Sequence, residues 1–140
     1  MYIKAIKSSF LTILLLSSCV AQQVNEATGI LKGSIGVYEG NCMPGPGVKP
    51  CEPRPISTTL LITTLAKEFN VDLLIERLSS DDEGKYEIRL PAGNYSFFLM
   101  DESQVVCTLI QCPDTCICQP FTIVADSTTV VDANLDHATW

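Results

Sequence analysis

Residues 80–99 read SDDEGKYEIRLPAGNYSFFL, and this stretch decides the fold class. Tyr86, Ile88 and Leu90 alternate with Lys85, Glu87 and Arg89, the period-two pattern of a strand with one face to a core and the other to water. The acids and glycine before it, and Pro-Ala-Gly after it, are turn formers. Tyr95, Phe97 and Leu99 then repeat the alternation in a second, aromatic strand.

The same signal extends in both directions. In residues 29–40, GILKGSIGVYEG, Leu31, Gly33, Ile35 and Val37 share one face, with Lys32, Ser34 and Tyr38 on the other. Residues 57–65, STTLLITTL, are β-branched. Residues 104–110, 119–125 and 128–136 (QVVCTLI, QPFTIVA, TTVVDANLD) complete the set. Between the first two strands lies NCMPGPGVKPCEPRP, residues 41–55, which carries five of the chain's eight prolines. Such density removes amide donors and fixes φ, so this segment is an ordered loop. Residues 66–78 are ambiguous: Phe69, Leu73 and Glu76 would meet on a helix, whereas Val71, Leu73 and Ile75 make one face of a strand. The strand is preferred because the neighbours are strands. About seven short strands at near-regular spacing predict an all-β, antiparallel Greek-key sandwich, with a single helix around 66–78 as the alternative.

The beginning of the chain gives an address. Lys4 and Lys7 precede a short apolar run, Phe10 to Leu16, and then small residues, the order of a secretory signal. That run is too short to span a bilayer, which takes roughly 20 apolar residues. Leu16, Ser17, Ser18 and Cys19 resemble the lipobox of bacterial lipoproteins. The resemblance implies cleavage before Cys19, acylation of its thiol, a lipidated tether over 19–28 and a domain over 29–140. Loss of residues 1–18 takes the formal charge from −7 to −9, since Lys4 and Lys7 are the only charges removed. That balance argues against nucleic acid and against electrostatic attachment to anionic lipid heads, leaving the acyl anchor as the membrane contact. The expected location is the bacterial cell envelope, on the outer membrane facing the periplasm.

Six cysteines remain in a compartment that permits disulfides. Cys107, Cys112, Cys116 and Cys118 lack the paired C-x2-C spacing of structural zinc, and no C-x-x-C redox motif is present. In a sandwich the proline-rich loop and the cysteine cluster should fall at opposite ends, farther apart than a bridge can reach. Cys42 should therefore pair with Cys51, and the other four among themselves. Nested pairing, Cys107 with Cys118 and Cys112 with Cys116, suits a hairpin best. The competing reading is a metal-binding or thiol-active centre in the Cys107 to Cys118 segment.

The run from the acids through LPAG to Tyr95, the opening strand with MPGPG, and the terminal TTVVDANLDHATW together resemble the carboxypeptidase regulatory-like domain of small bacterial lipoproteins. The resemblance covers about residues 29–138 and implies a transthyretin-like sandwich; it says little about function. Enzymatic transthyretin relatives use several histidines, an arginine and a terminal tetrapeptide, whereas His137 is the single histidine here and the chain ends HATW. His137 is read as a solvated residue and no catalytic or cofactor-binding residue is assigned. Lys32 and Asn134 sit where related surface domains form an isopeptide crosslink, but Leu99 stands where their glutamate would be. Asp81, Asp82 and Glu83 read as a solvated turn in preference to a calcium site. Met43 in its loop and Trp140 are candidates for partner contact, with a structural loop and a packed terminal aromatic as the preferred readings; an envelope protein or glycan would be met chiefly by the rigid loops 41–56 and 111–117.

Overall fold

The fold is that of a computed structural model, which describes residues 25–140. The signal segment 1–18, Cys19 and most of the tether lie outside the described residues. Among the described residues the chain is an all-β sandwich. Its spine is β1 (Thr28–Asn41), fourteen residues long and central to the first sheet. On one side β1 pairs antiparallel with β2 (Arg54–Pro55), near Gly36 and Val37. Farther back it pairs with β5 (Lys85–Pro91), from Thr28 to Ser34. The second sheet contains β3 (Thr59–Thr64), β4 (Leu74–Ser79), β6 (Gly93–Asp101), β7 (Gln104–Val106) and β10 (Phe121–Ile123). A small hairpin, β8 (Ile110–Gln111) with β9 (Ile117–Cys118), stands apart. The chain finishes with β11 (Thr128–Val130) and β12 (Ala133–Thr139) in the first sheet.

Two of these strands are one edge strand interrupted, as are two others, and with the two-residue β2, β8 and β9 set aside the twelve pieces among the described residues reduce to the roughly seven strands expected. β7 and β10 pair with the same edge of β6, opposite residues 99–101 and 93–95. β11 and β12 continue one another along β1, with a constant offset in register across the gap at Val131 and Asp132. The gap is closed by side-chain and backbone contacts: Ser34 N and Oγ both donate to Asp132 Oδ1 at 2.7 Å, and Val131 N donates to the Lys32 carbonyl at 2.9 Å.

The sheets are not antiparallel throughout. β11 and β12 run parallel to β1. The reason is the crossing point: β10 ends opposite Gly93, beside the start of β1, where Asp126 N donates to the Thr28 carbonyl. A chain entering the first sheet there can only run alongside β1 in its own direction.

Leu31, Ile35 and Val37 meet Leu60, Ile62, Phe97 and Leu99 between the sheets. Tyr86 and Leu90 are buried with them and Ile88 is partly covered. Phe97 packs on Tyr86 and Phe121, with ring centroids 5.7 and 6.5 Å apart. Both core tyrosines satisfy their hydroxyls, Tyr86 Oη donating to the Val131 carbonyl (2.5 Å) and Tyr95 Oη to that of Pro91 (2.7 Å). Burial, with the Asp132 charge adding to it, pushes the Tyr86 phenol well above its ordinary range.

A second apolar layer lies on the far face of the second sheet. Leu61 and Phe98 are buried there with Cys118, under Phe69, Leu74 and Met100. Residues 66–78 form no α-helix: a single 3-10 turn at Val71–Leu73, capped by the Asn70 side chain, leads into β4. Nor do Val71, Leu73 and Ile75 share a buried face, since Val71 is 67% and Ile75 44% exposed. A β-bulge between Ile62 and Thr63 sets Ile62 opposite Glu76 but Thr63 opposite Leu74, leaving Ile75 as the extra residue. Leu78 therefore joins the inner core while Leu74 joins the outer layer, a parity change that alternation cannot anticipate.

Candidate functional site

The end of the sandwich where β1 and β12 finish gathers most of the chemistry. The proline-rich loop leaves β1 there. Cys42 N donates to the Thr139 carbonyl at 2.8 Å, Met43 N to Asn41 Oδ1 at 3.0 Å, and a disulfide joins Cys42 to Cys51 with 5.4 Å between their Cα atoms. On β12 the alternation sends Asp136 outward beside Tyr38, its partner in register. Trp140 Nε1 donates to both oxygens of Asp136, at 3.0 and 2.9 Å. The indole stands edge-on to Tyr38, ring centroids 5.9 Å apart. Trp140 is nevertheless 58% exposed. Between this aromatic pair and the loop lies a groove of about 480 Å³, floored by Met43, Pro44, Val48 and Pro50, with Lys49 as its charged residue. Met43 and Trp140 are far apart in sequence, and the parallel pairing of β1 with β12 brings them together.

At the same end, where β1 and β12 run past the core, charged residues form an exposed chain that links the two sheets. Arg54 makes a two-pronged contact with Glu39, Nε to Oε2 at 3.0 Å and Nη2 to Oε1 at 3.1 Å. That hydrogen bonding holds the Glu39 carboxyl below the usual carboxylate range. Glu39 lies opposite His137 in register, and His137 Nε2 reaches across to Asp101 of β6 at 2.9 Å. His137 is thus exposed but ion-paired to the other sheet, a partner 36 residues away that no local pattern reveals. Ser57 and Thr58 line the same cleft, but their hydroxyls donate to the carbonyls of Ser80 and Met100.

The hydrogen bond that His137 donates to Asp101, assisted by the charges of Asp101, Glu39 and Glu102, raises the His137 pKa above 6.5. A raised folded-state pKa contributes stability that is complete below the unfolded value and fades as pH climbs through the folded one. The loss in thermal stability caused by His137→Asn should accordingly be larger at about pH 5.5 than at about pH 8.5. Melting both proteins at the two pH values checks this, and equal losses would remove the ion pair from the account.

The cysteine segment does not sit at a tip opposite the proline loop. It springs from the middle of the β6 edge, where β7 stops and before β10 begins. A disulfide joins Cys107 to Cys118 across its base, and a second joins Cys112 to Cys116 near its exposed turn. Cys118 is fully buried; its N–H donates to the Ala66 carbonyl at 2.8 Å, and Ser96 Oγ binds Ala66 from the neighbouring strand. Gln119 reaches the first sheet through Nε2 to the Asp132 carbonyl at 3.1 Å. These contacts make the segment a lid over Phe98 and Leu61. Its four sulfurs are all paired, so none is present as the thiolate that metal binding or thiol chemistry needs.

The remaining candidates are drawn into structure. Asp81 Oδ1 accepts from the amides of Glu83 and Lys85, at 2.9 and 2.8 Å, closing the turn whose Gly84 has φ +72°. Asp82 and Glu83 flank it at the surface. Lys32 pairs in register with Val130 and Glu87, whereas Asn134 stands beside Gly36, four residues farther along β1 or roughly 13 Å away. Among the described residues no group of three or more His, Cys, Asp or Glu side chains is placed to hold a metal ion.

The geometry defines a disulfide-stapled β-sandwich with an aromatic groove at one end. No family model matches the chain, and no curated protein matches it in sequence. Among solved structures it is similar to the TIE protein of Bacillus anthracis (TM-score 0.44, 14% identity, 79% of this chain and 17% of that one). It is also similar to a minor pilin of Streptococcus agalactiae (0.47, 14%, 82% and 47%). A third is a candidate carbohydrate binding protein from Pseudomonas aeruginosa (0.45, 9%, 78% and 89%). The chain spans less than half the length of the first two.

Proposed function

We propose that this chain is a lipid-anchored, non-enzymatic module of a bacterial cell envelope, tethered to the membrane through Cys19, that holds a partner protein or glycan at the groove between the proline-rich loop and Trp140. The observation that carries the reading is the convergence of three devices on one surface: a loop closed by a disulfide and stiffened by prolines, an exposed indole, and a carboxylate that fixes the indole's edge. A rigid aromatic anchor loses little side-chain freedom on binding, and such residues dominate interface energetics. Three disulfides suit an oxidising compartment. The single histidine, paired with Asp101 and facing hydroxyls already engaged elsewhere, offers no activated nucleophile.

Two substitutions separate the halves of the proposal. Cys19→Ala should move the protein from the membrane fraction to the soluble fraction while leaving capture of the partner intact. Trp140→Ala should do the reverse, keeping the protein on membranes and weakening retention of envelope material by roughly thirtyfold, the loss usual for a central aromatic contact. Unchanged retention in Trp140→Ala would place the binding surface elsewhere.

A further inference from the structure

We infer that the groove takes an acidic saccharide, a sugar ring bearing a carboxylate, with one apolar face of the ring laid on Trp140 and its carboxylate directed to Lys49. The inference rests on the groove being the binding face and goes on to name what fills it.

The first argument is the balance of donors and acceptors. Pro44, Pro46 and Pro50 have no amide N–H. The amides of Cys42, Met43 and Val48 are already bound to Thr139, Asn41 and Gly45. Gly45, Gly47, Lys49 and Cys51 are left as donors in a loop where every residue still carries a carbonyl. A peptide added as an extended strand needs a straight, extended edge to pair with, and here the edge is broken by the turn in which Val48 N donates to the Gly45 carbonyl and Gly47 takes a φ of +76°. A sugar brings its own hydroxyl donors and fits a surface rich in acceptors.

The second argument is the geometry of the ring. Asp136 takes the polar edge of the indole and Tyr38 meets it at 65°, so the orientation is set before any ligand arrives. The C–H face of a pyranose is a flat apolar surface of matching size. A volume of about 480 Å³ lies within the range of small-ligand clefts.

The third argument is charge. The chain carries a formal charge of −7, yet Lys49 is the charged residue lining the groove. The Asp136 carboxylate at the indole edge is taken by Trp140 Nε1, and Lys49 makes no salt bridge among the described residues, so an anionic ligand finds an unpaired cation there; a charge-assisted hydrogen bond is about twice as strong as a neutral one.

Trp140 is the chain's one tryptophan, so intrinsic fluorescence reports on this groove alone. The full chain in mild detergent is titrated with oligomers of galacturonic acid, with the same oligomers after reduction of their carboxyls to alcohols, and with an acidic proline-containing peptide. The acidic oligomer should shift the emission saturably, and the neutral one should bind about tenfold more weakly. Lys49→Gln should abolish that discrimination, and Trp140→Ala should lose at least tenfold in affinity by calorimetry, with its circular dichroism unchanged. Equal affinity for the two sugars, or saturation by the peptide alone, overturns the inference. Silence with all three ligands, alongside envelope capture that still depends on Trp140, overturns it too while leaving the binding-module reading intact.

Discussion

Replacing Gly33 by alanine is expected to lower the stability of this domain by about 3 kcal/mol or more, although the same change in an ordinary strand is neutral or mildly stabilising. A Cβ built on Gly33 falls 1.9 Å from the Val131 carbonyl oxygen and 2.7 Å from its carbon. Both are backbone atoms, and neither is free to retreat. Val131 N is bound to the Lys32 carbonyl, and Tyr86 Oη is bound to the Val131 oxygen from the core side. Relief would require opening the joint between β11 and β12 or displacing a buried tyrosine hydroxyl from its acceptor. Gly93→Ala is the control, since its nearest contacts, to the Tyr95 ring, begin at 3.5 Å. Urea unfolding of both variants is the measurement. A cost below about 1 kcal/mol at Gly33 would mean that the joint yields, and the close approach would then not be a constraint on the sequence.

The paired substitution Cys107→Ala and Cys118→Ala should cost a comparable amount, about 3–4 kcal/mol, by two routes. Opening a loop with a sequence separation of 11 returns about 2.8 kcal/mol of chain entropy to the unfolded state. Loss of buried sulfur over Phe97, Phe98 and Leu61 adds a packing term. The corresponding Cys112 and Cys116 pair, separated by 4 and near the exposed turn, should cost about 2 kcal/mol or less. Thermal melts without reductant test the order. A larger effect at the outer bridge would contradict the role of the segment as a lid.

The core was legible because its strands obey a parity rule. Tyr86, Leu90, Tyr95, Phe97 and Leu99 all lie inside where alternation puts them. The rule fails where a local event changes parity: the bulge at Ile62 and Thr63 sends Leu74 outward, and a period-two reading across residues 71–78 then assigns the wrong face. Phe98 shows a related limit. Its burial is created by Phe69 and by the cysteine segment, which cover a face that alternation assigns to water.

The candidate groove was legible only in fragments. A proline-rich loop between two cysteines and a distant tryptophan are each visible in the sequence, but their adjacency depends on β12 running parallel to β1, which follows from where β10 crosses over. Asp101, the last residue of β6, and His137, two residues before the end of β12, meet for the same reason across the two sheets. Pairings of that kind depend on topology and leave no trace in spacing.

The fourteen-residue β1 also determines how the molecule would bear tension. Its first residue, Thr28, and the Trp140 groove lie at opposite ends of the same strand axis, roughly 45 Å apart. A pull between those points is transmitted along the parallel ladder of β1 and β12, so its rungs resist in shear, all together, where a hairpin pulled from its open end would unzip rung by rung. Along that axis the domain would resist extension as a rigid strut.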